Sequence, residues 1–78
     1  MKVSDQEFRF MVEGIVADLI QLLIDRRQYL LPHAVEEVYG SRTYEALQRP
    51  TSNLYAQSSG YVYSLLEQEL ATRFPSIA

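Results

Sequence analysis

Apolar residues recur along the first third of the chain with a helical period. From Ser4 to Arg27, at about 100° per residue, Phe8, Met11, Val12, Ile15, Val16, Leu19, Ile20, Leu22 and Leu23 fall on one arc, with Glu13, Asp18, Gln21 and Asp25 opposite. Ser4 is suited to cap this helix. Glu7 stands three residues on, the capping-box spacing, and Arg26 and Arg27 in the last turn complement the negative end of the helix dipole. The arc covers roughly half the circumference, against roughly 100° for a helix that faces one core. Phe10 and Ile24 lie just beyond its edge, and Gly14, costly inside a helix, suggests close approach of another helix.

The remaining pattern is shorter in period and richer in punctuation. Pro32 to Tyr39 reads as a second helix, with Ala34, Val35, Val38 and Tyr39 apolar and Glu36 and Glu37 outside. Gly40 follows as a left-handed stop, and Ser41 caps a third helix, Arg42 to Gln48, with Tyr44 and Leu47 inward. Arg49 to Asn53 is turn chemistry in which Asn53 takes positive φ, and Leu54 and Tyr55 return to the core. Ser58 or Ser59 caps a last helix that carries Tyr61, Val62, Leu65, Leu66 and Leu70 inward and stops before Pro75. On this phase Tyr39, Tyr44, Tyr55 and Tyr61 are buried, while Tyr63 faces out. The fold expected is all-α, a single domain over residues 1–78: a compact bundle of one long and three short helices.

Composition narrows what such a bundle does. A chain of 78 residues buries only about 60 to 65% of its unfolded surface. With no Cys there is neither a disulfide nor a thiolate site, so stability rests on packing, capping or association. The net charge of −3, without a basic cluster beyond Arg26 and Arg27, argues against nucleic acid or anionic lipid as the main partner. No apolar run reaches the ~20 residues of a membrane span, and no signal peptide is expected, which points to the cytoplasm.

The string Tyr39-Gly40-Ser41-Arg42-Thr43-Tyr44-Glu45-Ala46-Leu47, then Thr51, Asn53-Leu54-Tyr55, Gln57-Ser58, Tyr61-Val62-Tyr63 and Leu65-Leu66, resembles a family of small bacterial helical proteins of unknown function. Its members are often encoded near putative toxin genes, so the resemblance implies a binding or neutralising partner. Two departures are mild, since Asn53 stands where that pattern has Gly and Ser59 where it has Pro.

Candidate chemistry is sparse. His33 shares a helix face with Glu36 and Glu37, but no second His or any Cys completes a metal set, and no cofactor is expected. There is no phosphate loop and no nucleophile beside a base, so a non-catalytic role is expected. Six tyrosines, five of them between Tyr39 and Tyr63, suit a thin core or a groove for a partner peptide. The two short helices around Gly40 also read as a helix-turn-helix with Arg42, Thr43, Gln48 and Arg49 on the second, although Glu45 and the acidic total oppose DNA binding. The favoured expectation is an interaction module that forms a homodimer through the uncovered side of the first helix, with Phe10, Val16, Ile20 and Ile24 as contacts and Tyr63 at its edge; it also binds a toxin-like neighbour if the resemblance holds. The alternative is a small DNA-binding protein using Arg42, Thr43 and Arg49.

Overall fold

The computed structural model describes residues 3–73, and the expected stop at Pro75 lies outside them. Four α-helices appear among the described residues: α1 (Asp5–Arg27), α2 (Leu31–Tyr39), α3 (Arg42–Leu47) and α4 (Ser59–Arg73). Two single 3-10 turns, Pro50–Ser52 and Leu54–Ala56, join α3 to α4. The domain is all-α, with a length distribution less lopsided than one long and three short helices: α4, at 15 residues, stands beside α1 at 23.

The helix ends follow from the residues that flank them. The Ser4 hydroxyl accepts from the Glu7 amide while Glu7 accepts from the Ser4 amide, a complete capping box. At the other end Gln28 takes the left-handed conformation at φ 61°, its amide donating to the Ile24 carbonyl and its side chain to that of Asp25. Tyr29 closes the turn by donating to Leu23. Ser41 serves two helices at once, since its buried hydroxyl donates to the Val38 carbonyl of α2 and accepts from the Tyr44 amide of α3. Asn53 has φ 61°, as its side chain permits. Gly40 does not. Its φ is −90°, because α2 ends in an ordinary bonded turn that needs no left-handed residue, with Gly40 donating to Glu36 and Ser41 to Val38.

α1 is the spine. It touches α2, α4 and the second 3-10 turn, while α3 leans on α4 and α2. Val12, Ile15, Val16, Leu19 and Leu23 of α1 are buried with Ala34, Val38, Leu47, Val62, Tyr63, Leu66 and Leu70. Phe8, Ile20, Leu22, Ile24, Tyr29, Tyr44, Leu54 and Tyr55 pack around that core. The chain therefore covers most of the wide arc of α1 by surrounding it. Leu54 and Tyr55 cover part of it, with the Tyr55 ring edge-on to Phe8 at 5.0 Å, whereas Leu30 and Leu31 stay exposed.

The rotation of α4 differs from the expected one. Val62, Tyr63, Leu66 and Leu70 face inward, and Tyr61 is half exposed. Two polar contacts fix this phase. The Ser59 hydroxyl donates to the Asp18 carboxylate of α1 at 2.6 Å, and four residues on, the same face brings Tyr63 into the core. Near the other end Glu69 reaches the start of α3. Its carboxylate accepts from the amides of Arg42 (2.8 Å) and Thr43 (2.9 Å) and from the Thr43 hydroxyl (2.8 Å). Arg73, which pairs with Glu69 at 2.9 Å, also reaches Glu37 of α2 at 3.1 Å. One carboxylate thus satisfies two orphan amides of α3 and, through Arg73, ties three helices together.

Burial alone would push the Glu69 pKa up, but the donated bonds from Arg42, Thr43 and Arg73 outweigh it and hold the group below its ordinary value. A depressed folded pKa means that this contribution is fully present above the unfolded value, about 4.3, and is lost as pH falls through the folded one. Glu69→Gln is expected to destabilise the domain by about 1 to 3 kcal/mol at neutral pH, because a neutral amide replaces the shared acceptor of four donors. Urea unfolding measured from pH 7 to pH 3 checks this, with the difference between parent and variant shrinking toward the acid end.

Candidate recognition groove

A concavity of about 440 Å³ runs between the first half of α1 and the corner where α2 meets α3. Its floor is Phe8, Val12 and Val16, presented at the helical spacing that also feeds the core. Tyr39 and Tyr44 form the opposite wall with their rings edge to face, 4.9 Å between centroids at 62°. They meet this way because Ser41 turns the chain between α2 and α3. Tyr39 is 52% exposed and Tyr44 half-buried, so π surface is open to the groove. Gln48 and Pro50 close one end, and Asp5, Arg9 and Glu13 line the α1 rim.

The residues singled out in the sequence are scattered relative to this groove. Phe10 is 78% exposed on the opposite face of α1. Val16 is a correction. It is buried with Val12, Leu19 and Leu23, its neighbours on the same face, and offers no outer contact. Ile20 and Ile24 lie half-buried against the core. Tyr63, expected to face out, is 2% exposed, with the Arg26 guanidinium carbon 5.4 Å from its ring centroid. Tyr39 and Tyr61 reverse the other way, exposed where burial was expected, because Tyr39 ends its helix and Tyr61 lies off the Val62–Leu66–Leu70 face.

The other constellations are engaged within the fold. His33 stacks on Tyr29 with ring centroids 4.1 Å apart, and its Nε2 lies 3.8 Å from Glu37. No group of three His, Asp or Glu among the described residues is arranged to hold a metal ion. For the helix-turn-helix reading, the α3 amides that would meet a phosphate already serve Glu69, and Thr43 is buried. Arg42 and Arg49 keep exposed side chains. No helix among the described residues is long and apolar enough to cross a membrane.

No family model, curated protein or solved structure matches the chain.

Neither sequence pattern nor motif marks the groove, because its walls come from three elements. The nearest signal was the tyrosine count. The Tyr63 hydroxyl is shut off from solvent and makes no hydrogen bond of ordinary geometry. Burial first, and the Glu67 charge second, raise its pKa, while Arg27 pulls the other way. Tyr63→Phe removes a buried hydroxyl whose interacting partner is Arg27, and is therefore expected to change stability by no more than about 1 kcal/mol. Tyr63→Ala is expected to cost about 3 to 5 kcal/mol through the cavity it opens. Paired thermal and urea unfolding of the two variants separates the ring from the hydroxyl.

Proposed function

We propose that the chain is a non-catalytic protein-interaction module, working in the cytoplasm, that pairs with a second copy of itself through the outward face of α1. The observation that carries this reading is Phe10. A phenylalanine 78% exposed stands in line with exposed Gly14, Ala17 and Gln21, with half-buried Ile24 at the edge. A Cβ built on Gly14 would meet nothing within 4 Å, so no element among the described residues uses the close approach that a glycine allows. Small residues beside an aromatic ring suit two crossing helices, where backbones come near and the ring fills the margin. A two-fold arrangement is the commonest closed solution, and a stable one buries roughly 800 Å² on each copy. A partner encoded nearby, as the resemblance at Tyr39 to Leu66 implies, extends the same reading to a second protein.

Val16 has no place in this contact, so its substitution would report on the core. Phe10→Glu and Ala17→Arg alter only exposed positions. The parent is expected to sediment as a dimer at about 50 µM and each variant as a folded monomer, with helical circular dichroism unchanged. A parent that remains monomeric to about 500 µM, or a Phe10→Glu variant that dimerises as well as the parent, contradicts the reading.

A further inference from the structure

We propose that the groove between α1 and the α2–α3 corner receives a cationic side chain, an arginine or lysine carried by a segment of a partner protein. The inference rests on the reading of the chain as an interaction module, but not on its self-association, which uses the other face of α1.

Three features of the groove select this occupant. Its walls carry two aromatic rings, Tyr39 and Tyr44 at 62° to each other with Phe8 below, and the negative face of an aromatic ring attracts a cation within about 6 Å of its centroid. Its rim carries Asp5 and Glu13, two α1 turns apart and hence separated by about 12 Å along the helix. Between them stands a single cation, Arg9, four residues from each. No ion pair among the described residues joins Arg9 to either carboxylate. Among the described residues the charged side chains that line the groove, Asp5, Glu13 and Arg9, leave a net negative charge beside the two tyrosine rings, in a chain whose net charge is −3. Half-buried Phe8 at the floor suits the methylene stem of a long basic side chain, which needs an apolar surface below its charged head. An acidic segment meets like charge here, and a purely aliphatic one leaves the carboxylates as they are.

The test is a two-dimensional amide NMR titration of the labelled full chain with short acetylated and amidated Gly-Ser peptides. Each carries one leucine and, at a second position, arginine, its neutral isostere citrulline, or glutamate. The arginine peptide is expected to shift Tyr39, Tyr44, Glu13 and Gln48 resonances in a saturable way and to bind about tenfold more tightly than the citrulline peptide. Glu13→Gln is expected to weaken the arginine peptide at least about threefold, Tyr39→Leu more so, and Tyr39→Phe to retain binding because the ring face remains. Both substituted positions are exposed, so the variants are expected to keep the parent's circular dichroism. Equal binding of the arginine and citrulline peptides overturns the cationic occupant, and shifts spread over every acidic surface overturn the groove as its place. An absence of shifts up to about 5 mM arginine peptide overturns the proposal entirely. Failure of self-association appears separately, in sedimentation of the Phe10 and Ala17 variants.

Discussion

The carboxylate of Glu69 is the contact on which this architecture turns. α3 is six residues long, too short to hold its helical shape by its own hydrogen bonds. Its first amides need acceptors. Ser41 supplies one for Tyr44, and Glu69 supplies those for Arg42 and Thr43 from a helix 26 or 27 residues further on. With Arg73 bridging back to Glu37, the same group locks α3 against α4 and brings α2 into the network. Its partners are mostly amides and a hydroxyl, so the carboxylate exchanges hydration for several directed donors. This favours it more reliably than a lone surface ion pair.

From that clamp the groove follows. Holding α3 against α4 places Tyr44 at the corner, where the Ser41 turn brings it to the ring of Tyr39. The pair faces α1 over Val12 and Val16, and the gap between them is the groove. At the opposite end of α4 the Ser59–Asp18 bond sets the rotation that buries Tyr63. Two polar contacts at the ends of one helix thus decide which tyrosines are structural and which are presented. Self-association would use neither, since Phe10, Gly14 and Ala17 lie on the outward face of α1.

Local chemistry made much of the fold legible. The Ser4 box, the Ser41 cap, the positive φ of Asn53 and the extents of α1 to α3 all rest on residues within a few positions of one another. What the pattern missed depends on partners distant in sequence. Tyr61 and Tyr63 are both compatible with a helix carrying Val62, Leu66 and Leu70 inward, and the choice between them is made by Asp18 and Thr43 from other elements. The arc of α1 is too wide for one layer, which makes an outer contact at Val16 plausible from sequence, whereas α2, α4 and the Leu54–Ala56 turn meet it from several sides. Gly40 was given a left-handed role from its position alone, although a bonded turn with ordinary φ ends α2. The groove had no signature of its own beyond the number of tyrosines.

Hydrogen exchange of two amides tests the account most directly. Arg42 and Thr43 occupy the first two positions of a short helix, where amides lack intrahelical acceptors and ordinarily exchange at nearly the rate of open chain. If Glu69 holds them, both amides near pH 6 are expected to be protected about as strongly as core amides such as that of Leu66, opening only when the domain unfolds. Exchange of Arg42 and Thr43 at the rate of exposed amides, with Leu66 still protected, would contradict the claim that the Glu69 carboxylate fixes α3 and shapes the groove.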